Sequence, residues 1–200
     1  MAALKQMKQT LRRELKKRLA GMSETERKRQ SECITQKLIK HPKYEASRRI
    51  SVYLSMTEEV NTLGILQHIF DSNKVCFVPQ YIGNNMDMLK LNSMQDYDAL
   101  PKTKWNIKQP TDSDNREEAL STGGLDMIII PGLGFTRDGK RLGRGKGYYD
   151  NYQSRCVDHS PSKPYTIALA FQEQICDDIP VSDHDVNIDE VLVGDMDITG

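Results

Sequence analysis

The stretch "LDMIIIPGLGFTRDGKRLGRGKGYYD" (residues 125–150) runs from the most apolar segment of the chain straight into its most glycine-rich and basic one. Residues 125–135 read as a central strand, apolar enough to be covered on both faces of a sheet. Beyond it, Arg141, Arg144 and Lys146 interleave with Gly143, Gly145 and Gly147, and Tyr148, Tyr149 and Asp150 follow. The glycines let the backbone bend and bring its N–H groups close to a ligand, while the cations surround that ligand with positive charge. A helix predicted from about Gly147 adds the positive end of its dipole. Together these features suit a polyanion bound at the carboxyl end of a strand, where ligands collect in open α/β sheets.

The common phosphate-loop templates do not fit. A Walker A motif requires glycine and Ser/Thr where this chain has Lys140 and Gly147. The dinucleotide pattern requires a third glycine where Tyr148 stands. The residues alone leave open a solvated basic hairpin tip, although three glycines weaken a loop unless ligand geometry requires them.

Outward from this stretch the pattern is α/β. Leu4, Met7, Leu11, Leu15 and Leu19 form one helical face ending at Gly21, and Ser23 with Glu26 makes a capping-box start for a second helix. Residues 48–56 alternate as a half-buried strand, 63–70 form a helix and 74–81 a strand, so a parallel pair with a right-handed crossover is expected. Residues 83–122 are polar and irregular, with an edge strand over "NMDMLKLN" and a short helix over "REEALS". After the helix from Gly147, "SPSKP" breaks the chain, and "YTIALAF" and "EVLV" supply two more strands. The expected fold is a single three-layer α/β/α domain over residues 1–200, with a mainly parallel central sheet and two N-terminal helices (1–42) packed on it.

Composition narrows the function. Lys plus Arg and Asp plus Glu balance at 28 each, which argues against a protein held to nucleic acid or a membrane by total charge. The balance hides an asymmetry, since residues 1–50 carry fifteen basic against five acidic side chains and the remainder is acidic. The first helix is also basic and acid-poor, as a mitochondrial presequence is, but its continuous apolar face up to Gly21 favours a structural helix. Cys33, Cys76, Cys156 and Cys176 are scattered without a C-x-x-C pair, which fits reduced thiols in the cytoplasm. No apolar run is long enough to cross a bilayer. The four histidines lack metal-ligand spacing, and no nucleophile elbow or nucleophilic cysteine setting is present.

Other candidates keep more than one reading. The basic face with Lys5, Lys8, Arg12 and Lys16 serves as solvated surface, nucleic-acid patch or lid over phosphates. Glu58 and Glu59, past a strand end, either accept from a ring carrying N–H donors or cap the next helix. Trp105 is a stacking platform or a core anchor. Asp150 and the acidic segment from Asp177 to Glu190 could meet magnesium beside a phosphate loop, with no single acid singled out.

With "KQTLR", "SVYLSMTEEV", "LPKTKWNI", "REEALSTGGLD" and "KPYTIALAFQEQI" added to the opening stretch, the sequence resembles the 5-formyltetrahydrofolate cyclo-ligase family over nearly its whole length. The resemblance implies an enzyme that converts 5-formyltetrahydrofolate and ATP, with Mg2+, to 5,10-methenyltetrahydrofolate, ADP and phosphate. By position it assigns Lys8, Gln9, Thr10, Leu11 and Arg12, with Arg141, Leu142, Gly143, Arg144, Gly145, Lys146, Gly147, Tyr148 and Tyr149, to ATP. Arg144, Gly145, Lys146, Gly147 and Tyr148 also touch the folate, joined by Leu54 and Glu59. Arg144 and Lys146 carry the catalytic charge, Asp150 and Asp185 the magnesium, and Trp105 lies near adenine. It further implies a cytoplasmic monomer without nucleic-acid or membrane partners. One departure is Thr136, where the family usually has aspartate; Asp138 is the expected substitute.

Overall fold

A computed structural model describes residues 2–104, 106–159 and 162–194. Trp105 and part of the "SPSKP" segment therefore lie outside the described residues. The first helix, α1 (Ala2–Ala20), stops at Gly21, and Ser23 opens α2 (Glu24–Ile39) by accepting a hydrogen bond from the Glu26 amide. A short α3 (Pro42–Ala46) follows, with proline at its first turn and the His41 ring accepting from the Lys43 amide. Next come β1 (Arg49–Val52), α4 (Leu63–Asp71), β2 (Val75–Ile82), β3 (Asn85–Leu91) and α5 (Met94–Ala99). β4 (Met127–Ile130), β5 (Gly134–Phe135), β6 (Arg141–Leu142), α6 (Tyr148–His159), β7 (Tyr165–Ala170) and β8 (Glu190–Val193) complete the chain.

Six strands form one sheet in the order β3-β2-β1-β4-β7-β8, parallel throughout except for the antiparallel edge strand β3. Successive side chains along each strand face opposite sides, so the sheet carries two cores. Ile50, Val52, Ile129 and Leu169 pack with Leu15, Leu19, Ile34, Leu38 and Ile65 on the face covered by α1, α2 and α4. Phe77, Ile128, Ile130 and Ala168 pack with Tyr149, Tyr152 and Cys156 of α6 on the other. This is the expected three-layer α/β arrangement. No helix among the described residues is long and apolar enough to cross a membrane.

Three expectations are corrected. β1 is only four residues long and buried on both faces, with Ser51 inside the sheet, so its alternation did not mean a half-solvated strand. The apolar run from Leu125 is two elements, because Pro131 lacks an N–H and ends β4, after which β5 pairs with β6 as a separate ribbon. "REEALS" forms one 3-10 turn (Leu120–Thr122) that stops at Gly123 and Gly124, both at positive φ.

From β1 the chain crosses through α4 on one face to β2, whereas from β4 it crosses through α6 on the other to β7. Neighbouring β1 and β4 thus mark the point where the winding reverses, and their carboxyl ends open a crevice. Leu15 of α1 is fully buried in the core, so Leu15→Ala should destabilise the protein by about 2–5 kcal/mol in a denaturant titration. A titration that matched the wild type would mean that α1 is not part of the packed core.

Candidate active site

The floor of the crevice is a buried ion pair. Arg141 of β6 donates to Asp150 of α6 at 2.7 Å and to the Pro131 carbonyl at 3.3 Å, and its side chain is 5% exposed. The other Asp150 oxygen accepts from the Val186 amide at 3.1 Å. The guanidinium underlies the loop closely, since a Cβ at Gly143 would come within 2.9 Å of its Nη1. Gly145 and Gly147 take φ of 104° and 69°, which side chains rarely adopt, and so aim the loop before α6 begins.

The turn that feeds this loop is made by Thr136 itself. Its hydroxyl accepts from the Lys140 amide at 3.0 Å, as a carboxylate there would, so the Asp138 substitution expected from the sequence is unnecessary.

On one side the loop borders a cavity of about 460 Å³, lined by Tyr53, Leu54, Glu59, Tyr81, Arg144 and Tyr148 among others. The Tyr81 and Tyr148 rings lie 4.9 Å apart at 55°, and the Tyr148 hydroxyl donates to the Gly83 carbonyl at 2.8 Å. Burial pushes the Tyr81 phenol up to about 12, so it is a neutral hydrogen-bonding group here. Glu59 is 9% exposed and desolvation raises its pKa; the Met56 amide and Arg144 oppose that rise. Arg144 reaches Glu58 at 3.2 Å and Glu59 at 3.4 Å. Neither acid caps α4: its N-cap Thr62 makes no side-chain cap bond, and Asn61 just before it accepts from the Leu63 amide at 2.9 Å.

On the other side stands a charged rim supplied by α1. Lys8 pairs with Asp185 at 2.6 Å, and Arg12 Nε donates to the Gly143 carbonyl at 2.9 Å. Burial raises the Asp185 carboxyl, but the Lys8 ammonium and the Ser182 amide and hydroxyl outweigh it and hold the group below its ordinary value. The Val186 amide bonds Asp150, which brings the backbone next to Asp185 close to that carboxylate. Among the described residues no group of three or more His, Cys, Asp or Glu side chains is placed to hold a metal.

The structure thus brings Lys8, Arg12, Arg144, Lys146, Tyr148, Glu59, Asp150 and Asp185 to one end of the sheet. Some expected positions do not face it. Leu142 is core, Leu11 packs partly against the core, and Gln9 and Thr10 are exposed on α1. Met7 is 58% exposed, so the predicted core face of α1 ends before it, and the first half of the helix overhangs the rim. Sequence reading also missed a wall. Residues 101–104 and 106–109 form the two arms of a hairpin, with Lys102 opposite Lys108 and the Thr103 amide donating to the Ile107 carbonyl at 2.8 Å. This hairpin gives Thr103, Ile107, Lys108 and Gln109 to the cavity. The only local signal was Asn106, whose φ of 61° marks the turn.

The chain and its fold have known counterparts. Residues 4–194 match the model of the 5-formyltetrahydrofolate cyclo-ligase family. A mouse 5-formyltetrahydrofolate cyclo-ligase is 58% identical over 190 residues, covering 94% of each chain. A probable cyclo-ligase from Caenorhabditis elegans is 38% identical over 195 residues, covering 96% of this chain and 95% of its own. Among solved structures, 5,10-methenyltetrahydrofolate synthetase from Aquifex aeolicus superposes with a TM-score of 0.74 at 26% identity, covering 94% of this chain and 90% of that one. With its fold and nearly its full length in agreement, the chain belongs to the 5-formyltetrahydrofolate cyclo-ligase family.

Proposed function

We propose that the protein catalyses the ATP-dependent conversion of 5-formyltetrahydrofolate to 5,10-methenyltetrahydrofolate, ADP and phosphate. It would do so as a single-domain cytoplasmic monomer over residues 1–200. The observation that carries this reading is a glycine-rich cationic loop bordering an aromatic cavity on one side and a lysine–arginine rim on the other. Such a site suits a flat ring and a polyphosphate at once. The formyl oxygen attacks the γ-phosphorus, the bond from phosphorus to ADP breaks, and the N5 lone pair completes an iminium. N10 of the same folate then attacks that carbon and loses its proton, and phosphate departs with the former formyl oxygen.

The chain supplies position and charge rather than a nucleophile. Arg144 and Lys146 face the cavity from the loop and would stabilise charge on the transferring phosphoryl group, with Lys8 and Arg12 on the remaining phosphates. Glu59 would accept from pterin N–H donors, beside Leu54 and the tyrosine pair. Asp150 and Asp185 offer the hard oxygens that magnesium prefers, and an ion travelling with ATP needs only one or two carboxylates, the rest coming from phosphate and water. Magnesium there would neutralise phosphate charge, while Arg141 and Lys8 keep the two carboxylates oriented.

The direct test is ultraviolet absorbance of the methenyl product on mixing protein, 5-formyltetrahydrofolate, ATP and magnesium; no signal, or a signal that persists without ATP, refutes the assignment. Arg144→Ala and Lys146→Ala should each lower kcat about a hundredfold or more. Wild-type turnover in the double variant would remove the loop from the chemistry. Asp150→Asn, which keeps an acceptor for Arg141, should raise the magnesium concentration needed for half-maximal rate, and an unchanged magnesium titration would exclude the Asp150 charge from the metal seat.

The raised pKa of Glu59 gives a stability test. Because its folded-state value lies above its unfolded one, its ionisation costs stability, a cost absent below the unfolded pKa and incurred as pH rises through the folded one. Glu59→Gln should therefore melt higher than the wild type at pH 8, with the gap closing towards pH 4, while folate KM rises. A gap that widened on acidification would reverse the sign of the shift.

A further inference from the structure

The hairpin over residues 101–109 is not held to the sheet by a peptide ladder. β1 ends at Val52, and its pairing with β2 covers only Arg49–Ser51 against Val75–Phe77, so the far half of β2 has no strand neighbour on that side. Pro110 removes an N–H at the point where the hairpin would otherwise join. Two glutamine side chains take the place of the missing bonds. Gln109 accepts from the Tyr81 amide at 3.0 Å and donates to the Tyr81 carbonyl at 3.1 Å, as a paired strand residue would. Reciprocally, Gln80, 6% exposed, donates to the Pro110 and Thr111 carbonyls at 3.2 and 2.9 Å.

We propose that Gln80 and Gln109 form a clasp that positions the cavity wall for the folate ring, Gln109 by fixing the main chain of Tyr81 and both by holding the hairpin beside it. This rests on the cavity being the folate seat. Tyr81 turns its ring towards Tyr148 while its amide and carbonyl both bond Gln109, so a side chain 28 positions away helps to fix the main chain that carries one ring, as the Gly83 carbonyl fixes the other. The clasp touches neither Lys8, Arg12 nor the glycine-rich loop. Its loss therefore leaves those contacts in place and falls on the folate cavity. Gln80 and Gln109 are positioning residues.

The test combines kinetics with hydrogen exchange at the Tyr81 amide, which bonds Gln109, and at the Thr103 amide within the hairpin. Gln109→Ala should raise KM for 5-formyltetrahydrofolate about tenfold, the effect of losing a hydrogen-bonded bracket, with ATP KM within about twofold of wild type. Both amides should exchange faster in that variant than in the wild type. Gln109→Glu keeps the length and the acceptor but sets an oxygen against the Tyr81 carbonyl, so it should be at least as impaired as the alanine variant. Gln80→Ala should shift the same parameters in the same direction. The proposal is overturned if Gln109→Glu behaves as wild type, if both KM values move together with a lowered melting temperature, or if folate KM and amide exchange stay unchanged. Should the wild type form no methenyl product at all, the enzymatic assignment falls separately, and exchange at the Tyr81 and Thr103 amides of the ligand-free variants alone decides the clasp: a rise upholds it, no rise overturns it.

Discussion

A guanidinium removed from water holds the candidate site together. Burying Arg141 costs several kcal/mol that only close partners can offset, and Asp150 and the Pro131 carbonyl are those partners. Each partner belongs to a different segment: Pro131 follows β4, Arg141 sits in β6, and Asp150 lies in the first turn of α6. Asp150 then passes the restraint on to the acidic C-terminal segment through the Val186 amide. Four stretches of chain are fixed by one charge pair. The glycine-rich loop can thus be conformationally permissive in sequence and yet defined in shape, because its supports are buried beneath it.

The charge asymmetry along the chain is resolved in the same region. The basic N-terminal segment lies against the acidic C-terminal one through Lys8–Asp185, His41–Glu190 and the Lys37 contact with the Val193 carbonyl. Exposed pairs of this kind add little stability. Lys8–Asp185, with side chains 14% and 21% exposed, is the least solvated of these ion pairs and the one at the rim. The segments are brought together by the core, through Leu15 and Leu19, and the charges set what α1 presents where the core ends.

Sequence and structure agree where one residue pattern has one physical cause. The run Met127–Ile130 reads as a strand covered on both faces and is buried throughout, and the glycines read as a sharply bent backbone, which Gly145 and Gly147 adopt at positive φ. Disagreement arises where a pattern has two causes. Ser51 in an apolar run implies a wet face, yet it lies inside the sheet. The face from Leu4 to Leu19 is continuous, but periodicity records that a face exists and not what meets it, and only Leu15 and Leu19 are buried. The 101–109 hairpin was invisible because its ties to β2 run through glutamine amides at long range and leave no period in the sequence. Thr136 shows the converse, a residue change that keeps the physics because a hydroxyl accepts the Lys140 amide as a carboxylate would.

One arginine serves two acids at the cavity. Glu59 is desolvated, and its cationic partner Arg144 is shared with the more exposed Glu58. Among the described residues the Met56 amide is the other group that opposes the cost of the Glu59 charge. Under the proposed function, a ring that donates N–H groups to Glu59 would stabilise its charge without Arg144, and an anion at the loop would then take over the guanidinium. Each ligand would remove a cost that the other would otherwise meet, so binding of a pterin and of a polyphosphate would be favourably coupled through one arginine, with no change of fold required.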